Sequence, residues 1–304
     1  MDLKTNAPQE SFWPHLVLRL LSAAMAIILL LLAIALFNNN YSLGRPSRAA
    51  FSEQLNRKLD SAISWIKDNG SLSERNPSLM YMIADMERMS HDRRLQAVLD
   101  HYQNNHFLLS SDPLDLVFAR IVARNANVPT IRVPDFGGAL NEVAWTAYAV
   151  APDKVSLAAD DRASMFSPTK FSWGRRQHQL VTLVIYRDYN GGSPELDNTI
   201  NYLAEKVARD AHYDGRITDS YVQRTAFVLG AGRPDLIRPR WVERILDRQN
   251  SDGSWNYCWY GWCRGILDFQ LEDRGSAHTT VQAAWALASL KYRYPQWSDE
   301  HYPD

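Results

Sequence analysis

Apolar residues recur at helical spacing along most of the chain, most clearly in two neighbouring segments near the C-terminus. In the segment 238–249, Trp241, Ile245 and Leu246 share one helical face, and charged residues take the other. The segment 278–290 is apolar nearly all round, which is typical of a helix that is buried on all sides. The pattern therefore predicts an amphipathic helix packed against a fully buried one.

Amphipathic segments that end in turn-forming residues recur along the chain with a period of 35–40 residues. Amphipathic stretches stop at Asn69-Gly70, Asn104-Asn105, Asp214-Gly215 and Asp252-Gly253. A period of this length is typical of stacked helical hairpins. We therefore predict an all-α fold of roughly ten helices in five pairs, arranged as an α/α toroid, either a closed ring or an open arc.

The middle of the chain is less regular. Residues 127–134 contain two prolines and are predicted to be extended, and helices are predicted at about 138–150 and 175–187. A loop is predicted between these two helices, over 152–172. A further helix is predicted from Asp115 to about Ala123.

The N-terminal region predicts a membrane anchor. Leu20 to Phe37 is a run of 18 residues without a charge, which as a helix would extend about 27 Å, close to the hydrocarbon thickness of a bilayer. The alternative is a cleaved signal peptide with a cleavage site at Ala33-Ile34-Ala35, although the apolar run is longer than an ordinary signal core. The predicted organisation is a tail (1–15), a transmembrane anchor (16–37), a tether (38–50) and a toroid-like domain (51–304).

Charge and cysteine content bear on partners and compartment. The net charge is −1, so the total charge gives no reason to expect a nucleic-acid partner. More basic residues follow the apolar run than precede it, which favours a cytoplasmic domain. Cys258 and Cys263, the only cysteines, would suit a small disulfide loop, which favours an extracytoplasmic domain. We place the domain outside the cytoplasm and keep the cytoplasmic side as the alternative.

The string Gln249-x-x-x-Gly253-x-Trp255 matches the repeat motif of squalene–hopene and oxidosqualene cyclases. Over about 235–294 the chain resembles the α/α-toroid superfamily, which also includes protein prenyltransferases and lanthionine cyclases. The resemblance implies that Gln249 caps a helix and stacks beneath Trp255, so that the motif braces the fold. A brace implies an architecture and carries no activity with it.

The chemistry of these families is not carried over. The Asp-x-Asp-Asp acid of triterpene cyclases is absent from the sequence, and the nearest string, Ala158-Ala-Asp-Asp161, is predicted to be a surface turn. The Asp-Asp-x-x-Asp motif that holds a diphosphate through magnesium is also absent. A terpene cyclase-like or prenyltransferase-like activity therefore stays an alternative only.

The resemblance also makes zinc a candidate cofactor, because the prenyltransferase and lanthionine cyclase branches bind it through Cys and His, and the prenyltransferases also through Asp. Cys258, Cys263 and His278 lie within 21 residues of one another. Their Cys-x4-Cys spacing is looser than the usual Cys-x2-Cys, so no cofactor is predicted and zinc remains an alternative. The other two interpretations of Cys258 and Cys263 are a disulfide and two unpaired structural cysteines.

The predicted functional residues lie where buried helices begin. In a toroid these first turns would line the mouth of the cavity, and helix N-termini attract anionic or hydroxylated ligands. The candidates for ligand binding are Asp115, Glu142, Gln223 and Thr279, and the candidates for acid–base catalysis are His178, Asp219 and His278. Each of them also suits an ordinary capping or first-turn role. Trp259 and Trp262, which flank Gly261, are further candidates for an aromatic ligand contact.

Three functions remain open from the sequence. The first is a single-pass membrane protein whose toroid domain binds a small apolar or sugar-like ligand, or a partner protein, in its cavity. The second is an enzyme on the same ring that acts on a lipid, a peptide or a glycan. The third is a structural subunit of a membrane complex. In each case the bilayer is a partner through residues 16–37.

Overall fold

The fold is mostly helical. The computed structural model describes residues 12–42, 44–74, 76–107, 110, 112–215, 218–256 and 275–304. Its helices are α1 (Phe12–Asn40), α2 (Arg48–Asn69), α3 (Pro77–Ser90), α4 (Arg93–Tyr102), α5 (Pro113–Val117), α6 (Ala119–Val122), α7 (Glu142–Val150), α8 (Ala159–Phe166), α9 (Arg176–Asn190), α10 (Pro194–Tyr213), α11 (Asp219–Gly230), α12 (Pro239–Asp247), α13 (Ala277–Ala288) and α14 (Gln296–His301).

Short segments of other geometry supplement these helices. Single turns of 3₁₀ or π helix cover Gly70–Leu72, Gln103–Phe107, Pro234–Leu236 and Ser289–Arg293. Two short strands, β1 (Ile131–Arg132) and β2 (Val155–Ser156), pair in parallel, with Ile131 opposite Val155. The extended segment predicted over 127–134 thus contains β1.

Three predictions in the middle of the chain are wrong in detail. The segment 152–172 is not one loop, because it contains β2 and α8. Asp161 does not lie in a surface turn: it is fully buried in α8 and accepts hydrogen bonds from the backbone N–H groups of Phe136 and Gly138, at 2.9 and 2.6 Å. The helix predicted from Asp115 is broken into α5 and α6 at Phe118.

α1 is long and apolar enough to cross a membrane, by length and composition. It extends beyond the predicted anchor at both ends, since it begins at Phe12 and ends at Asn40. The predicted tether is therefore shorter than 38–50, because residues 38–40 belong to α1 and α2 begins at Arg48. Asn39 and Asn40 are buried against the rest of the protein, so α1 is packed onto the domain at its C-terminal end.

Five helices, α3, α7, α9, α11 and α13, form a cycle of contacts, which we call the central helices. Each of them packs against the next in this order, and α13 packs against α3. Nearly every residue of α11 and α13 is buried, which agrees with the apolar pattern of the segment 278–290. Their side chains supply much of the hydrophobic core.

Amphipathic helices pack on the outside of this cycle. α2 packs on α13, α4 packs on α2 and α3, and α10 packs on both α9 and α11. In α12 the buried face holds Trp241, Ile245 and Leu246, which confirms the amphipathic helix predicted there. A sequence with alternating amphipathic and fully apolar helices therefore folds with the apolar ones inside.

The motif around Gln249 joins two outer helices. Gln249 donates a hydrogen bond to the carbonyl of Lys58 in α2 at 2.7 Å and to that of Gly253 at 2.9 Å. Gly253 has a φ of 92°, and a Cβ added there would lie 2.4 Å from the carbonyl oxygen of Ser61, so this turn requires glycine. The Trp255 indole is buried and donates to the carbonyl of Ile245 at 2.8 Å.

Candidate functional site at the N-terminal ends of the central helices

Capping residues bring polar side chains to one end of the central helices. The Asn141 side chain accepts from the N–H of Ala144 at the start of α7, and the side chains of Thr218 and Ser276 cap α11 and α13 in the same way. A residue in the first turn after such a cap lies beside backbone N–H groups that lack a helical partner. The first-turn residues placed there are Glu142, Asp219 and His278. We call this end of the molecule the rim end, and the end where the central helices stop the far end.

Asp219 and His278 form a carboxylate–imidazole pair between α11 and α13. The Nδ1 atom of His278 lies 2.7 Å from Oδ1 of Asp219, and the Thr279 hydroxyl donates to the same oxygen at 3.0 Å. An ionised carboxylate only accepts hydrogen bonds, so Nδ1 of His278 carries a proton. In the neutral ring Nε2 is then an acceptor.

Two amides lie against this acceptor. The Nε2 atoms of Gln223 and Gln282 are 3.3 and 3.2 Å from Nε2 of His278. Gln282 is almost completely buried, and its Oε1 has no hydrogen-bond partner among the described residues. An unpaired buried acceptor costs about 1–3 kcal/mol, so this atom is suited to receive a donor from a ligand.

The amide network continues toward the outer helix α10. Gln177 at the start of α9 donates to Oε1 of Gln223 at 2.5 Å, and Nε of Arg224 donates to Oε1 of Gln177 at 3.1 Å. Arg224 is paired with Asp214 at 2.6 Å, and both side chains are buried. A buried guanidinium needs such a partner, so this pair fixes the position of Gln177 and, through it, of Gln223.

Glu142 and His178 form a second carboxylate–imidazole pair, between α7 and α9. The Nδ1 atom of His178 lies 3.0 Å from Oε1 of Glu142. Burial by itself raises the pKa of the Glu142 carboxyl, but the hydrogen bond and charge of His178, together with the charge of His278, hold that pKa below its usual value. Gln177, which precedes His178 on α9, donates to Gln223, whose amide lies against the His278 ring, so the two pairs belong to neighbouring parts of one network.

Six of the residues selected from the sequence therefore meet at the rim end, and we call them the rim group: Glu142, His178, Asp219, Gln223, His278 and Thr279. Asp115 stands apart from them in its described contacts. It lies on the short helix α5, accepts from the Ser110 hydroxyl at 3.0 Å and contributes to the raised pKa of Tyr102, whose largest cause is burial.

The remaining candidates are Trp259, Trp262, Cys258 and Cys263, and they lie outside the described residues. The disulfide, the zinc alternative and the aromatic ligand contact thus stay predictions. In the part of the chain that the structure does describe, no group of three or more His, Cys, Asp or Glu side chains is arranged to hold a metal ion.

The sequence reasoning missed several members of this site. Gln177 lies in the first turn of α9, and Gln282 and Arg224 lie in the second turns of α13 and α11, but their meeting depends on how the helices pack. Trp173 was missed as well: its indole is 58% exposed, and the Arg224 guanidinium lies 5.8 Å from its ring centre. The signal for Trp173 was a large aromatic residue in a polar turn directly before a helix.

Chemically, the site combines two imidazoles that each have a carboxylate partner. The side chains of His178 and His278 are partly exposed, at 21% and 29%, whereas Gln223 and Thr279 are buried. Such an arrangement can bind hydroxyl groups and, through its imidazoles, transfer protons. Comparison with family models, with curated proteins and with solved structures finds no match to this chain.

Proposed function

We propose that this chain is a membrane-anchored α/α-toroid domain that binds a hydroxylated ligand at the rim group. The toroid is supported by the cycle of contacts through the five central helices and by the amphipathic helices outside it. The anchor is supported by the length, apolar composition and exposure of α1. The observation that carries the ligand-binding function is the meeting of two carboxylate–imidazole pairs at the N-terminal ends of neighbouring buried helices.

The rim group suits a ligand with hydroxyl groups. His178 and Glu142 offer partly exposed polar atoms, and Gln282 offers a buried acceptor without a partner among the described residues. Helix N-termini add partial positive charge beside them. A ligand hydroxyl that donates to Oε1 of Gln282 would recover the hydrogen bond that this atom lacks, which gives the site a reason to prefer hydroxylated compounds.

The test is ligand-induced stabilisation of the full chain in detergent. A panel of monosaccharides, glycosides, glycerol phosphodiesters and short peptides is measured by thermal shift on the wild type, His278→Gln and Asp299→Asn, the last an exposed control. We expect at least one hydroxylated compound to raise the unfolding temperature of the wild type and the control but not of His278→Gln. Equal shifts in all three proteins, or no shift with any compound, would contradict the proposal.

A second function, acid–base catalysis on the same ligand, is favoured by the short Asp219–His278 contact of 2.7 Å. A carboxylate on Nδ1 fixes the ring, and a substrate hydroxyl or water that displaces the Gln223 or Gln282 amide from Nε2 would give its proton to that atom. Turnover of chromogenic esters and glycosides would be measured for the wild type, Asp219→Asn and His278→Gln. We expect any turnover to fall by about 10²-fold or more in both variants, and turnover that survives both would exclude this role.

A further inference from the structure

α1 leaves the domain at the rim end. The Asn39 side chain donates to the carbonyl of Ala211 at 2.9 Å, and a Cβ added to Gly215 would lie 3.6 Å from the Cβ of Ala35. As the residue number in α1 falls from 39 to 35, the number of the contacting residue rises from 211, in α10, to 215, just after it. The two segments therefore run antiparallel. Because α10 ends directly before the first turn of α11, α1 projects from the domain on the side of the rim group.

The projecting part of α1 is exposed and, apart from Arg19, carries no charge. Residues 17–35 are all exposed, and at about 1.5 Å per residue they extend about 28 Å, the thickness of a hydrocarbon core. If α1 spans the bilayer, the surface of the bilayer lies close to Gly215, where the exposed stretch of α1 ends. The rim group then faces the lipid headgroups rather than bulk solvent.

The most exposed aromatic residues of the domain lie at this same end. Beyond α1 and Tyr41, and within the described residues, Tyr213 and Trp173 are the most exposed large apolar side chains, at 60% and 58%. Tyr213 ends α10, and Trp173 lies just before α9. Tyrosine and tryptophan are enriched where proteins meet the headgroup region, because one end of the ring system is polar and the rest apolar.

A cationic cavity lies beside Trp173. It has a volume of about 320 Å³ and is lined in part by Lys170, Arg175, Ser172 and the turn at Gly137-Gly138. Lys170 and Arg175 are exposed, and neither has an ion-pair partner in the described part of the chain. The cavity adjoins the starts of α7 and α9, which carry Glu142 and His178. Basic side chains at a membrane surface attract anionic lipids.

We infer that the rim end rests on the membrane surface and binds the headgroup of an anionic lipid, with Lys170 and Arg175 at its phosphate and the rim group at its hydroxyls. The inference rests on the proposed function, because it names the hydroxylated ligand of that site as a lipid of the bilayer. Charge complementarity, the direction of α1 and the exposed aromatic pair favour this occupant over a soluble one.

The first test maps the surface that touches lipid. The full chain is reconstituted in nanodiscs of phosphatidylcholine and phosphatidylglycerol, with the photo-cross-linker benzoylphenylalanine in place of Trp173 or Tyr213 at the rim end, or of Tyr292 at the far end. Tyr292 is the matched control, since it is an exposed tyrosine that follows α13. We expect lipid adducts by mass spectrometry at 173 and 213 and none at 292; equal adducts at all three positions, or none at the rim end, would overturn the orientation.

The second test addresses the headgroup. At position 173, the ratio of phosphatidylglycerol to phosphatidylcholine among the lipid adducts should exceed their ratio in the nanodisc. The expected excess is about five-fold for each basic residue at the surface. Lys170→Gln with Arg175→Gln should remove the excess, while Lys154→Gln with Lys291→Gln at the far end should leave it. An excess that survives the first pair, or that millimolar glycerol 1-phosphate removes, would overturn the lipid headgroup as ligand. All adducts are measured with His278 in place, so a failure here is distinct from a failure of the ligand-binding test, which compares the wild type with His278→Gln.

Discussion

The two ends of the central helices bury polar groups in different ways. At the far end, Asp85 is buried and accepts hydrogen bonds from the Trp285 indole and from Arg293, at 2.7 and 2.8 Å, and Arg88 pairs with it at 3.1 Å. Arg187 donates there to the carbonyls of Gly230 and Ala231. At the rim end, the group around His178 and His278 consists of imidazoles, amides and carboxylates, with the buried Arg224–Asp214 pair beside it.

Helix polarity explains the difference. The C-terminal ends of helices present carbonyl groups and partial negative charge, which attract arginines, and the N-terminal ends present N–H groups, which favour carboxylates and other acceptors. The far-end network is closed: each arginine named here has a carboxylate or carbonyl partner. The rim end keeps two partly exposed histidines and an unpaired buried amide oxygen, as measured within the described residues. The far end thus saturates its arginines, whereas the rim end keeps polar atoms that the proposed ligand would use.

The largest effect on stability is expected at the far end. Asp85→Ala would leave Arg293 and the Trp285 indole without their carboxylate and Arg88 with Asp188 alone, and removing one partner of a buried ion pair costs about 3–5 kcal/mol. Urea or thermal unfolding of the full chain in detergent measures the loss. Asp299→Ala, which removes an exposed partner of Arg48, should cost about 0–1 kcal/mol. Similar losses in the two variants would show that the far-end network does not hold the fold.

A smaller effect is expected where α1 meets the rim end. Asn39 is fully buried, donates to the carbonyls of Ala211 and His212 and accepts from Arg244. Asn39→Ala leaves these groups unpaired and should cost about 1–3 kcal/mol in the same unfolding assay. Asn201→Ala on the exposed face of α10 is the matched control and should be nearly neutral. If both variants are neutral, α1 is only loosely attached to the domain.

The smallest effect is a shift in titration at the rim group. His178→Gln removes the imidazole that, with His278, holds the pKa of Glu142 below its usual value against the effect of burial, so that pKa should rise. In the wild type the stabilisation from Glu142 is complete above the ordinary glutamate pKa, about 4.3, and is lost as pH falls through the lower folded value. In His178→Gln, the free energy of unfolding should therefore lack the decrease at acidic pH that Glu142 causes in the wild type.

Carbon-13 NMR of labelled glutamate carboxyls measures the titration. His101→Gln is the control, because His101 pairs with Glu74 in another part of the protein at 2.6 Å, and it should leave Glu142 unchanged. If Glu142 titrates in the same way in the wild type and in His178→Gln, the contact with His178 at 3.0 Å does not lower the pKa of Glu142.

The helices and their burial could be read largely from the chain. The apolar pattern around Trp285 predicted a buried helix, and α13 is buried along nearly its whole length. First-turn polar residues such as Asp219 and His278 were also visible, because capping chemistry is local. Their mutual contact was not visible, since it joins positions 59 residues apart through the packing of two buried helices.

The features that follow from the chain alone are local: helical periodicity, the apolar length of α1, the capping residues and the turn at Gly253. These depend on neighbours within a few residues. Which polar residues meet depends instead on the packing of the whole fold. It brought Gln177, Arg224 and Asp214 into one network, buried Asp161 beneath two backbone N–H groups and placed Asn39 against α10, 172 residues away. The physical reason is that a polar side chain must find a partner once it is buried, and the packing of distant helices chooses that partner.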